Sequence, residues 1–334
     1  IHGVITEPTP DPIDALTKYV TSGFPSFKLF TTYRHAGLMS DDGVLHRVFS
    51  HLGQVNGLPG VHAENDAITE MLTNEYVQQG RTSPEFYPLT RPDYTEEEAV
   101  ARAAYFAALA QSPLYIAHLS TRRALAVVRQ RRVTQRRLFV ETCPHYLTLT
   151  DDKYRDKDGI LYMMSPPLRS KGDQTALWDG ILRGEIDFVS SDHVPWDRDQ
   201  KDPGHGDFSK ARHGIAGIEL LPSLLYSEGV IRRDMTPQQF VRLTSYNPAR
   251  IFGLYPRKGN LAVGADADLV VIDPRKERTV RASDLHMNVD YSVYEGMLLQ
   301  GVPTATISRG EGVVQAGEFH GAPGRGLFVE RQLT

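Results

Sequence analysis

Short apolar segments alternate with longer amphipathic ones through most of the chain, and this alternation limits its fold more than any other feature. Strands are expected at residues 3–6, 24–32, 58–62, 114–118, 138–143 and 188–192. Helical spacing falls between them, at 11–22, 45–55, 95–111, 121–132 and 174–182. Thr95-Glu-Glu-Glu98 reads as a helix start, an N-cap with a glutamate three residues on. Repeats of this kind build a parallel sheet, because a parallel return needs a crossover long enough to hold a helix. The expected fold class is therefore α/β, a (β/α)8 TIM-type barrel with about six of its eight units present. A doubly wound open sheet is the competitor, but no Gly-x-Gly-x-x-Gly loop follows any strand.

Beyond about residue 255 the pattern changes. Residues 259–273 read as two short strands joined by Gly/Asp turns, with further strands at 304–308 and 312–315. The expected division is a barrel over 1–255 and a small C-terminal β-sandwich appendage with tail over 256–334. The 37 Lys+Arg nearly balance the 41 Asp+Glu, which gives no electrostatic case for nucleic acid or an anionic membrane. Arginines at 122–123 and 129–137 have helical spacing and read as a solvated face. No apolar stretch approaches the roughly 20 residues of a membrane span. The single Cys143 excludes an internal disulfide framework and fits a reducing compartment, so a cytoplasmic location is expected. The start, Ile-His-Gly-Val-Ile-Thr6, has neither a signal-peptide pattern nor an initiating methionine, and is expected to enter the fold partway.

Within the strand read at 24–32, Lys28 stands among Phe24, Phe27, Leu29 and Phe30. An unpaired ammonium there would lose its hydration at a large cost. Either Lys28 snorkels to water from a strand end, or it is a neutral amine able to add carbon dioxide and become a carbamate that bridges two metal ions. Three other strands end in residues able to bind metal: His62, His118 and Asp192. C-terminal strand ends of a barrel converge on one mouth, so these groups and Lys28 are expected to share a small volume. Imidazole and carboxylate ligands suit zinc, with manganese or iron as alternatives. Each residue also has a plainer role: a strand-end histidine as a hydrogen bonder, Asp192 as a turn cap. Glu64 reads as a loop residue or a support for His62. His145 stays unassigned, and His35, His46 and His51 are expected to be exposed.

Ser26-Phe-Lys-Leu-Phe-Thr-Thr-Tyr33, Val61-His-Ala-Glu-Asn65, Ile116-Ala-His-Leu-Ser120 and Glu141-Thr-Cys-Pro-His-Tyr146 resemble successive motifs of the hydantoinase/dihydropyrimidinase branch of the amidohydrolase superfamily. Met164-Ser-Pro-Pro-Leu-Arg169, Ser191-Asp-His193, the stretch 247–259 and Asn288-Val-Asp-Tyr-Ser-Val-Tyr-Glu-Gly296 continue the match in the same order. The resemblance implies an enzyme that opens hydantoins or 5,6-dihydropyrimidines to N-carbamoyl amino acids. It further implies that Lys28 is carboxylated and bridges two divalent metals, most commonly zinc, with manganese possible. His62 and His118 would bind one metal, and Asp192 would bind the other and shuttle the proton. Tyr33 and Ser165 would hold the ring amide, together with the backbone at His213 and Gly214. Homotetramers or dimers are implied as well.

Two departures accompany the resemblance. The branch carries a His-x-His pair on its first barrel strand, and no His-x-His occurs in this sequence. The sequence is therefore expected to begin at the third barrel strand. His213 also stands where an asparagine is usual. Allantoinase and dihydroorotase activities are the nearest alternatives. A dihydropyrimidinase-related scaffold without a metal site is the non-enzymatic one, against which the retention of Lys28, His62, His118 and Asp192 argues.

Overall fold

The computed structural model describes residues 2–6 and 12–333. Six strands, β1 (Gly3–Val4), β2 (Ser26–Phe30), β3 (Leu58–His62), β4 (Leu114–Ile116), β5 (Leu138–Thr142) and β6 (Phe188–Val189), form one sheet in chain order. Every neighbouring pair is parallel. A doubly wound sheet reverses its strand order partway, whereas this sheet never does, so it has the winding of a (β/α) barrel. No pairing joins β6 to β1 among the described residues.

The helices that cover the outside are α1 (Pro12–Thr21), α2 (Asp42–Gln54), α3 (Asp66–Gln78), α4 (Asp93–Leu109), α5 (Arg122–Arg131) and α6 (Lys171–Leu182). Phe27, Leu29, Val61, Leu114, Ile116, Leu138 and Val140 alternate along the strands toward these helices and are all buried. Their burial against α2, α4 and α5 supplies the main core, at about 1.5–3 kcal/mol for each large side chain. A second, smaller cluster of Leu58, Tyr115, Ala117 and Phe188, with Phe139 and Phe252 against it, fills the inner side of the sheet. Register sets Lys28 beside Gly60 and Gly60 beside Tyr115. A Cβ at Gly60 would lie 1.9 Å from the Tyr115 ring, so the glycine makes room for an aromatic lid across the inner layer.

Several expectations shift at their ends. The strands expected at 114–118 and 188–192 stop at Ile116 and Val189. His118 (φ 39°) and Asp192 (φ 42°) lie in left-handed backbone, which a strand ladder cannot include. Thr95 is not an N-cap. Helix α4 starts at Asp93 behind Pro92, whose backbone is already extended, and the Thr95 hydroxyl donates back to the Pro92 carbonyl. Helix α3 carries no apolar stripe, burying only Asp66 and Thr69, and went unread for that reason. The arginine-rich α5 lies as expected on the outside, where Arg123 pairs with Glu97 and Arg129 with Glu185.

Past the barrel strands, residues 259–268 contain no strand, in place of the short strand expected there. A four-stranded antiparallel sheet follows, of β7 (Leu269–Thr279), β8 (Leu298–Ser308), β9 (Glu311–Gln315) and β10 (Glu318–Phe319). The chain then returns under the barrel, where Gln332 and Arg331 donate backbone bonds to the carbonyls of Gly253 and Gly23.

Candidate active site

Lys28, His62 and His118 come from β2, from β3 and from just beyond β4. The Lys28 Nζ lies 3.2 Å from His118 Nε2. The imidazoles of His62 and His118 meet edge to face with centroids 4.4 Å apart. Lys28 is half-buried, with its Nζ 5.6 Å from the centre of the Phe30 ring. Both imidazoles are buried and are driven toward the neutral form, His62 by burial and His118 by burial and the Lys28 charge. A neutral imidazole is the form that can donate a lone pair to a metal.

Each ring is aimed by its neighbours. His62 Nε2 is engaged by Glu64 Oε2 at 2.6 Å, which leaves Nδ1 for a ligand. Glu64 is fully buried, and also accepts from the Ser165 hydroxyl at 2.7 Å and faces Arg91 at 3.5 Å. Burial alone would raise its carboxyl, but Arg91, His62 and Ser165 together hold it well below the carboxylate range. Glu64, in the loop between β3 and α3, thus supports His62 and couples its imidazole to Ser165. His118 is held from behind: its backbone N–H donates to Glu141 Oε1 at 3.2 Å. Glu141 is buried on the inner side of β5; it opens the motif Glu141-Thr-Cys-Pro-His-Tyr146, which carried no expectation of its role.

Asp192 is half-buried beyond β6, and its carboxylate acts on His62, Glu141 and His145. The Tyr33 ring lies 5.3 Å from His62, and its phenol stands in the field of Arg91 and Glu64. Tyr33 has φ 67°, so Tyr33, His118 and Asp192 all occupy left-handed backbone. Such strain persists where the surrounding structure holds it, and it clusters at functional sites. Ser165 is buried. His213 packs its ring 5.1 Å from Tyr87, in the field of Arg91 and Glu64, while its carbonyl accepts from the Trp196 indole N–H at 3.0 Å. Gly214 has φ 123° and a Cβ there would strike Val194 at 2.4 Å, so only glycine fits.

His145 is fully buried with neither ring nitrogen hydrogen-bonded, and burial brings it down to about 4. His35 and His46 are exposed, as expected. His51 is half-buried and bonds Thr17 at 2.8 Å.

Among the described residues, no three His, Cys, Asp or Glu side chains gather closely enough to hold a metal by themselves. The donors that do converge include a lysine. They fit a metal whose ligand set draws on Lys28, with His118 Nε2 beside it and His62 Nδ1 left unengaged by Glu64.

Comparison with known proteins shows the family and the fold. A model of the amidohydrolase family matches residues 134–313. D-phenylhydantoinase of Escherichia coli is 41% identical over 333 residues, which cover 99% of this chain and 72% of the relative. A D-hydantoinase from a Bacillus species superposes with a TM-score of 0.97 at 37% identity, covering 100% of this chain and 73% of that one. A dihydropyrimidinase from Brevibacillus agri gives 0.96 at 37% identity, covering 99% and 72%.

Proposed function

The chain belongs to the amidohydrolase family, as a cyclic amidohydrolase of the hydantoinase type, and from that premise we propose that it opens hydantoin or 5,6-dihydropyrimidine rings to N-carbamoyl amino acids with two divalent metals. The observation that carries this reading is the meeting of Lys28, His62 and His118 on the inner side of successive parallel strands. Lys28 as a carbamate, with His62, His118 and Asp192, would hold zinc or manganese. Bound metals of this kind supply Lewis-acid polarisation of the ring carbonyl and a strong nucleophile from water near neutral pH.

The remaining work falls to the protein. Tyr33 donates from its phenol to the carbonyl oxygen as negative charge develops there, which burial makes more effective than in water. Burial pushes the Tyr33 phenol well up, so it stays protonated and able to donate. Asp192 takes the proton of the attacking water and returns it to the departing ring nitrogen, first as base and then as acid. Ser165 and the backbone of His213 and Gly214 hold the ring amide. Glu64 keeps His62 in the tautomer whose Nδ1 is free. The carbonyls of His213 and Gly214 each already accept one internal bond, and each has a second lone pair for a ring N–H. Homo-oligomerisation and a cytoplasmic location complete the proposal.

The test combines metal analysis with turnover of 5-phenylhydantoin and dihydrouracil after incubation with zinc or manganese. About two ions per chain and ring opening are expected, both lost in Lys28→Ala. Retained activity in Lys28→Ala would sink the role of the carbamate. Neither metal nor turnover in the parent chain would favour the scaffold reading.

A further inference from the structure

The loop after β6 runs from residue 190 to 220 and contains a lysine that none of the chemistry above uses. Lys201 closes the one-turn helix Arg198–Lys201 and is completely buried, with 0% of its surface exposed. Among the described residues no carboxylate pairs with it. Its Nζ donates to two carbonyls, those of Met163 and Gly214. The Gly214 N–H donates in turn to the Met163 carbonyl at 3.0 Å. Lys201 Nζ, Met163 O and both backbone polar groups of Gly214 therefore form one closed ring of hydrogen bonds.

The position of that ring gives it meaning. Met163 lies two residues before Ser165, and Gly214 directly follows His213, so the ring joins the two segments proposed to hold the ring amide. The first segment is fixed on its other side by Tyr87, which donates to the Met164 carbonyl at 2.8 Å, and by Ser165 on Glu64. The second is fixed by Trp196 on the His213 carbonyl. Among the described residues, the hydrogen bonds that join the two segments are those of Lys201 and the single Gly214 to Met163 bond, while Tyr87 adds a ring contact to His213. A lysine is an expensive way to join two carbonyls, since an ammonium with no counter-charge loses its hydration on burial. Burial alone brings its amine down from 10.5 to about 7. Such a cost is tolerated where geometry has to be held tightly.

We propose that Lys201 is a positioning residue that sets the spacing between the Ser165 and His213–Gly214 arms, and through it the affinity for the cyclic amide. This inference rests on the function proposed above for those arms. Lys201 does not touch the reacting atoms.

Lys201→Met keeps the volume and removes the donors; Lys201→Gln restores two N–H donors at shorter reach. Amide hydrogen exchange is followed by mass spectrometry in the parent chain and in both variants. Faster exchange at 163–165 and 213–217 is expected in Lys201→Met, partly reversed in Lys201→Gln, with exchange in α2 and α5 unchanged. Steady-state kinetics on 5-phenylhydantoin should show KM raised 10-fold or more in Lys201→Met, with kcat and metal content close to those of the parent. Unchanged exchange at both segments overturns the inference whether or not the chain turns over hydantoin. Loss of kcat together with metal also overturns it, by placing Lys201 with the metal site. Absence of turnover in the parent instead removes the proposed function, and the exchange measurement still decides whether Lys201 joins the two arms.

Discussion

Glu64 shows how much one carboxylate can organise at the scale of the residue. It bonds His62 and Ser165 and faces the Arg91 charge from a site without solvent, so the ring and the hydroxyl proposed to hold the metal and the ring amide share one anchor. Glu64→Gln keeps the shape but lets the amide present N–H in place of an acceptor. Metal affinity measured by chelator competition should fall by about 10–100-fold, and an unchanged affinity would refute the role given to Glu64. Lys201 makes a separate prediction. Its amine releases its proton near pH 7 in the folded chain and near 10.5 in the unfolded one. Between those values the unfolded state binds more protons, so the stability associated with Lys201 rises with pH, at most by about 1.4 kcal/mol per unit. The titratable group in its field is the His213 imidazole, itself held well below its usual range by burial, Arg91 and Lys201. Unfolding free energies at pH 7, 8 and 9 should lose this slope in Lys201→Met, whereas parallel slopes for parent and variant would contradict it.

At the scale of the element, strands place the site and their broken ends shape it. Alternation along β2 to β5 sends Phe27, Leu29, Val61, Leu114, Ile116, Leu138 and Val140 outward, leaving Lys28, Gly60, Tyr115 and Glu141 on the inner face. Gly60→Ala drives a methyl into the Tyr115 ring. We expect a loss of about 1–3 kcal/mol by denaturant titration, and an unaltered midpoint would show that the ring can step aside. Beyond the strands, left-handed residues turn His118 and Asp192 out of the ladder, and Glu141 holds the His118 backbone in that turn. The helices are set in a more local way: Asp41, Asn65, Thr121 and Ser170 each cap a helix by accepting the backbone N–H three residues on.

Across the whole molecule, distant segments close the structure on itself. Residues 331–333 pass beneath the barrel strands. Arg331 donates to Ser26 Oγ on β2 at 2.8 Å, and Asn56 to the Leu333 carbonyl at 2.6 Å. Gly253 has φ 74° and its missing Cβ would lie 2.6 Å from the Gln332 backbone, so the tail is seated in a groove built for it. Removing residues 329–334 leaves the buried Ser26 hydroxyl without this donor and should cost about 1–3 kcal/mol, seen as a lower thermal midpoint. A midpoint equal to that of the parent would mean that the tail merely rests there. A cavity of about 500 Å³ opens on the same inner side beneath Lys28, its wall largely apolar, with Val4, Tyr115, Phe188 and Phe252 beside Lys28 and Glu141.

The sequence by itself determined the strand–helix alternation, the parallel winding that follows from it, and Lys28, His62, His118 and Asp192 as polar residues placed at or near the strands. Those are local properties: apolar period, crossover length and residue type are legible along the chain. Tertiary structure alone decided that the carboxylate engaging His62 Nε2 is also tied to Ser165, because Glu64 and Ser165 are 101 residues apart and meet only when the sheet curls. It likewise revealed Glu141 under His118 and Lys201 between Met163 and Gly214. Helix α3 stayed unread because it buries only Asp66 and Thr69 and so carries no stripe. Burial and hydrogen-bond partners depend on contacts between distant segments, and residue type and spacing do not encode them singly.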